Sequence, residues 1–224
     1  MTSPDQFRVL VFSKTVSYRH DSIPAGIASL QRLGVSTGKF TVEASEDASF
    51  FHPDCLSQFK VLVFLSPSGE CLQESELAAL QTFINHGGGF VGIHCASAAM
   101  YSSPWYGELI GAFFTDHPEP QHAIVKVGDG QHAIVSAFPR ECEWFDEWYN
   151  FAWNPRDKVT VLLSTDESRY EGGTMGSDHP LAWCREFDGG RSFYTALGHF
   201  DEAYEDERFM KHLLNGILWA ARVL

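Results

Sequence analysis

The chain has no long hydrophobic run, no excess of positive charge and no paired cysteine spacing, and each absence removes a class of function. No apolar stretch approaches the ~20 residues that a bilayer-spanning helix needs. Residues 1–6, MTSPDQ, are mostly polar with Asp5 as the one charge, so no targeting segment is expected. The reading is of a soluble, cytoplasmic protein without a membrane partner. Sixteen Lys and Arg stand against 29 Asp and Glu, a net charge of −13. Such a surface repels phosphate backbones, so no nucleic-acid partner is expected. The five cysteines (Cys55, Cys71, Cys95, Cys142 and Cys184) are odd in number, scattered and without a CxxC spacing. They indicate neither a disulfide framework nor a thiolate zinc site. What remains, at 224 residues with 44% hydrophobic and 20% charged, is a single globular domain over 1–224 with a substantial core.

The order of elements predicts an α/β fold. Phe7–Phe12 is a short apolar run of β-formers followed by a polar loop. Ser22 then precedes Ile23-Pro24 and AGIASLQRL with Gly34 beyond it, the pattern of a capped helix with proline in its first turn. Phe40–Ala44, Lys60–Leu65 and Phe90–His94 read as further strands, and Glu74–Asn85 as a helix stopped by Gly87. Strands alternating with helices imply a parallel, doubly wound sheet. The second half differs. Alternating stretches from His122 to Val135 surround GDGQ and predict a hairpin, Val159–Ser164, Leu181–Phe187 and Arg191–Leu197 predict strands, and Asp206–Leu224 an amphipathic helix.

Polar residues gather just after the predicted strands, where an open α/β sheet places ligands. Tyr18, Arg19 and His20 follow the first strand, Ser66–Glu70 the third, His94-Cys95 the fourth, and His199–Glu202 the last. Between elements lie Trp105, Tyr106 and Glu108, then His117, the FDEWYNF segment (145–151) and His179. Aromatic rings mixed with carboxylates and imidazoles suit a sugar-like ligand, because rings cover apolar C–H faces while acids and histidines bind hydroxyls. His20, His94, His117 and His199 could converge on zinc, but no compact ligand signature such as HExxH is present. No metal or other cofactor is expected.

The segments VLVFSKTVSYRHDSI, GGGFVGIHCAS, PWYGELIGAFFTDHP, FDEWYNF and HPLAWCREFDGGRSFYTALGH, with the terminal helix, resemble the trehalose-utilisation (ThuA-like) family in order along nearly the whole chain. That family is similar in fold to the class I glutamine amidotransferases. The resemblance implies a flavodoxin-like three-layer sandwich with a mainly parallel central sheet and extra antiparallel strands in the second half. The amidotransferase nucleophile elbow reads Gly-x-Cys-x-Gly. Setting Gly92-Ile93-His94-Cys95-Ala96 against it puts His94, not Cys95, in the nucleophile position, and His199-Phe200-Asp201 against the amidotransferase His-x-Glu pair.

Without a thiolate there is no acyl-enzyme route, whereas two imidazoles and a carboxylate can move protons near neutrality. The expectation is an enzyme acting on a carbohydrate or related polyoxygenated small molecule by isomerisation, elimination or hydrolysis. His94 and His199 would be its acid/base pair, Asp201 would orient His199, and Tyr18, His20, Trp105, Glu108, His117 and His179 would bind substrate. Two alternatives stay open: a non-catalytic sugar- or partner-binding module, and a metal-dependent hydrolase.

Overall fold

The computed structural model describes residues 6–128 and 132–224. Strands β1 (Phe7–Phe12), β2 (Phe40–Ser45), β3 (Val61–Leu65) and β4 (Gly89–Ile93) alternate with helices α1 (Ile23–Thr37), α2 (Pro53–Leu56) and α3 (Glu74–Asn85). After α4 (Pro104–Ile110) come β5 (Phe114–Asp116), β6 (Gln121–Val127), β7 (Glu141–Asp146), β8 (Asn150–Phe151), β9 (Thr160–Thr165), β10 (His179–Phe187) and β11 (Gly190–Thr195), and α5 (Glu207–Ala220) closes the chain. The main sheet runs β2-β1-β3-β4-β11-β10-β9-β6-β7, while β5 and β8 pair separately. From β2 to β11 neighbouring strands are parallel. From β11 to β7 every pairing is antiparallel. The α/β class is as expected, with the later strands extending the central sheet.

Alternation along the strands builds the three layers, because successive side chains point to opposite faces. Val9, Val11, Val61, Val63, Val91, Ile93 and Phe193 pack with Leu30 of α1 and Leu213 and Ile217 of α5. Leu10, Phe12, Leu62, Phe64, Phe90 and Tyr194 pack on the other face with Leu80 and Ile84 of α3 and Tyr106 and Leu109 of α4. Each of these fully buried side chains contributes about 1.5–3 kcal/mol of transfer free energy.

Two details differ from the expectation. Helix α1 continues a turn beyond Gly34, since a Cβ there would stand 2.6 Å from the Phe40 carbonyl oxygen. Gly34 therefore serves close approach of the helix to β2, and the left-handed terminus falls at Gly38 (φ 64°), whose N–H donates to the Gly34 carbonyl. The expected hairpin around residues 128–131 lies partly outside the described residues, and its second arm is not a strand. Ala133–Val135 forms a 3₁₀ turn held by α5, with Asn215 Nδ2 donating to the Ala133 carbonyl at 2.7 Å and His212 Nδ1 to that of Ile134 at 3.1 Å. The partner of β6 is instead β7, with Gln121 opposite Asp146.

That pairing matters for function. Because directions alternate from β11 onward, the carboxyl ends of β7 and β9 and the amino ends of β6 and β10 share the edge formed by the carboxyl ends of the parallel strands. Asp146, Gln121, Thr165 and His179 thus lie at the same edge as the residues following β1, β3, β4 and β11. No helix among the described residues is long and apolar enough to cross a membrane.

His212 offers a test of this packing. It is fully buried between Phe193 and Phe138, with ring centroids at 4.9 and 5.5 Å, and burial lowers its pKa from 6.5 to about 4. Between those two pH values the unfolded chain binds more protons than the folded one. His212 therefore costs no stability above about pH 6.5 and progressively more as pH falls toward 4, up to a few kcal/mol. In urea titrations from pH 7.5 to 4.5, His212→Leu is expected to lose less stability than the parent chain over that window. Parallel pH profiles would show that this ring is not buried neutral.

Candidate functional site

The centre of the edge is His94, the first residue after β4. Its backbone is left-handed (φ 51°), a conformation costing a non-glycine residue roughly 1–2 kcal/mol. The sharp turn lifts its side chain to the sheet edge, and only Cys95, Ala96, Ser97 and Ala98 follow in a tight 3₁₀ turn. The surroundings hold this conformation. The His94 carbonyl accepts from the Tyr194 hydroxyl at 2.9 Å, and its Nδ1–H donates to the Ala196 carbonyl at 2.7 Å. That bond places a proton on Nδ1 and leaves Nε2 as the ring nitrogen that meets every other partner.

Four groups from distant loops converge on this nitrogen. His20 Nε2, from the loop after β1, is 3.0 Å away, and His199 Nδ1, from the loop after β11, is 3.2 Å away. The Tyr149 hydroxyl is hydrogen-bonded to it at 2.8 Å, and Glu147 Oε2 lies at 3.4 Å. The same Glu147 oxygen is 3.1 Å from His199 Nδ1, while Oε1 faces His117 Nε2 at 3.4 Å. Asp146 anchors this corner. It is fully buried and accepts from the N–H groups of Glu147 (3.0 Å), Gly198 (2.9 Å) and His199 (3.2 Å), and from Trp144 Nε1 (3.0 Å).

The electrostatics follow from crowding imidazoles around one carboxylate. Burial, then the neighbouring His94 and His199, push His20 down to about 3, so it is neutral. Burial pushes the Glu147 carboxyl up, but hydrogen bonds and charge from His199 and His94 outweigh it and hold Glu147 ionised, well below the usual carboxylate range. For His199, burial lowers the pKa, and the Glu147 carboxylate more than reverses this. Burial pushes the Cys95 thiol up to about 12, so it carries no thiolate at neutral pH.

Above the cluster opens a cleft of about 480 Å³ walled by Tyr18, Tyr101, Phe114 and Tyr149, with His20, His117 and Glu147 reaching into it. Its size is in the range of small-molecule sites. His94 lies fully buried beneath, and His199 is mostly covered.

Residues 8–220 match the family model described as ThuA, trehalose utilisation. The chain belongs to the ThuA family. Among solved structures it is similar to a ThuA-like protein from Bacteroides uniformis, with a TM-score of 0.82 and 23% identity over 97% of this chain and 93% of that one. A ThuA-like protein from Parabacteroides merdae gives a TM-score of 0.81 and 20% identity over 96% and 90% of the two chains. The fold also resembles part of a β-galactosidase from Bacillus circulans sp. alkalophilus, at a TM-score of 0.61 and 11% identity, covering 94% of this chain and 30% of that one. No curated protein sequence matches.

In this ThuA chain, Tyr18, His20, His94, His117 and His199 come together at one edge. Four of the residues expected there do not join them. Trp105 Nε1 donates to Asp188 in the turn between β10 and β11, which is the opposite edge of the sheet. Glu108 is held by Lys158 at 2.8 Å and Arg185 at 3.5 Å toward that same far end. Asp201 is exposed at the start of a 3₁₀ turn, and the carboxylates that meet His199 are Glu147, at its ring, and Asp146, at its backbone. His179 sits behind the cleft, its Nε2 donating to the Tyr149 carbonyl at 2.9 Å and its Nδ1 facing Glu167 and Tyr170. Glu147 and Tyr149 are the residues underweighted in the sequence. Their signal was the strand pattern of 141–146, which delivers the next residues to the sheet edge.

Asp146→Ala removes the acceptor of four N–H groups at once. It is expected to lower unfolding free energy by about 2–4 kcal/mol, with Asp146→Asn, which keeps one oxygen, falling between. Urea denaturation of the three proteins measures this. A neutral Asp146→Ala would show that the corner is held by something else.

Proposed function

We propose that this chain is an enzyme acting on a sugar-like small molecule that carries neighbouring hydroxyl and carbonyl groups, through proton transfer at the His/Glu cluster. The observation that carries the reading is the convergence of Glu147 with His20, His94 and His199 at the floor of an aromatic-walled cleft, in a family described as trehalose utilisation. The rings of Tyr18, Tyr101 and Phe114 suit the C–H faces of a pyranose. Glu147 and His117, which face each other within the cleft, are the groups able to take a proton from the ligand and return it. His94 and His199 act from behind, holding Glu147 as a carboxylate, and thus fill the acid/base centre through this residue. Glu147 takes the part that the sequence assigns to Asp201. The products of such chemistry are isomers of a keto sugar, or the fragments left when loss of the proton beside the carbonyl expels the group on the next carbon, with water adding afterwards where the net reaction is hydrolysis.

Solvent deuterium exchange tests this directly. Trehalose, glucose and their oxo derivatives are incubated with the protein in D₂O, and label at the carbon next to the carbonyl, together with any bond cleavage, is followed by NMR. Glu147→Gln and His94→Ala are expected to slow turnover by a factor on the order of 10²–10⁴, the usual contribution of a positioned acid or base. Cys95→Ser should leave it nearly unchanged. Loss of activity in Cys95→Ser, with block by thiol alkylation, would overturn the assignment in favour of a covalent thiol mechanism. Saturable sugar binding without exchange or cleavage would make the protein a binding module.

A further inference from the structure

We propose that His20, His94, His199 and Glu147 bind one divalent first-row transition-metal ion at the floor of the cleft. The role of that ion rests on the functional reading above, but its binding does not. One ligand atom from each residue lies within 4.8 Å of all the others. The nearest separations, 3.0 and 3.2 Å between nitrogens and 3.1 and 3.4 Å from nitrogen to Glu147 Oε2, match the edges of a coordination shell. Ligand atoms about 2.1 Å from an ion stand about 3.0 Å apart in an octahedron and about 3.4 Å apart in a tetrahedron.

Hydrogen bonds produce similar distances, so the decisive point is the count of donors and acceptors. His94 donates through Nδ1 to Ala196, so Nε2 is its one nitrogen for every other partner. Toward that nitrogen point two imidazole nitrogens, a hydroxyl and a carboxylate oxygen. In a neutral ring one lone pair cannot serve the hydroxyl and both imidazoles and also faces the carboxylate, and in a charged ring one N–H cannot satisfy all four. His20 cannot relieve the conflict from its other side, because its buried Nδ1 has no hydrogen-bond partner among the described residues. A cation resolves it by taking three imidazole lone pairs and one carboxylate oxygen together. Imidazole-rich sets of this kind suit zinc, iron, nickel or copper, whereas magnesium and calcium prefer all-oxygen sites.

The outer shell is already in place. The Ala196 carbonyl fixes the tautomer and ring orientation of His94, as partners of metal-bound histidines do. Asp146 anchors the backbone of both Glu147 and His199. The ligands come from the loops after β1, β4, β7 and β11, which explains why no compact motif announces them. Facing the cleft, the ion would polarise an oxygen of the sugar as a Lewis acid. Glu147 Oε1 and His117 remain beside it to move the proton.

The test uses the full-length protein without an affinity tag, stripped with a chelator and desalted, then titrated with Zn²⁺, Mn²⁺ and Co²⁺ by calorimetry, with metal content after desalting and the visible spectrum of the Co²⁺ form as second readouts. One equivalent bound, a ligand-field spectrum and a raised Tm are expected. His94→Ala and Glu147→Gln, checked for folding by circular dichroism, should bind on the order of 100-fold more weakly or worse. Retention of no ion by the stripped, folded protein, or unchanged binding in both variants, would overturn the site. Deuterium exchange on the sugar panel separates the two readings. Full-rate exchange by chelated protein removes the ion while leaving the acid/base cleft, and stoichiometric metal without sugar turnover leaves the ion and removes the substrate reading.

Discussion

The bond on which the site depends is the one from His94 Nδ1–H to the Ala196 carbonyl. It joins the ends of two adjacent parallel strands, β4 and β11, and it turns a strained left-handed residue into a fixed one. Through it the ring has one tautomer and one direction. Everything else at the sheet edge is arranged around the nitrogen left free. His20, Tyr149, Glu147 and His199 all stand within 3.4 Å of it, and the Tyr194 hydroxyl secures the His94 carbonyl. A backbone conformation costing roughly 1–2 kcal/mol persists because these contacts over-determine it, as is common where strain serves a site.

The change of the sheet from parallel to antiparallel at β11 supplies the other half of the site. A purely parallel sheet brings loops to its carboxyl edge only through right-handed crossovers with intervening helices. Here the later strands alternate in direction, so the short β7 delivers Asp146, Glu147 and Tyr149 to that edge without a helix. The result is a composite. The imidazoles of His20, His94 and His199 come from the parallel half, and His117, the carboxylates and the ring that lies 4.3 Å from His94 come from the antiparallel half. Neither half alone contains a charge-balanced site.

This division explains what could be read from the sequence. The parallel half was legible almost residue by residue, since buried strands are near-continuous apolar runs and α3 carries both its periodicity and its stop at Gly87. His20, His94 and His199 were legible because each follows such a strand. The antiparallel half was harder. The 141–146 strand alternates with exposed acidic residues at its edge of the sheet, and Asp201 lay closer in sequence to His199 than Glu147 does. Proximity along the chain suggested the wrong carboxylate, because the contact that matters spans more than fifty residues and depends on strand order. Glu108 and Trp105 misled for the same reason. Their neighbours in sequence are suited to a ligand, but α4 directs them to the far end of β10.

The elbow comparison gains physical meaning from these contacts. In an amidotransferase-like register the thiol stands where His94 stands, and a nucleophile there must be exposed and ionisable. In this chain the position is filled by a fully buried imidazole that bonds on both sides, while the neighbouring Cys95 is buried and held as a neutral thiol. The turn in this chain therefore presents no ionised thiol, and its apex imidazole is the ring around which the other groups gather. A nucleophile needs one activated lone pair and open access to a carbonyl carbon. An organising residue needs a fixed tautomer and several partners, which is what the small residues after His94 and the convergence of four loops provide.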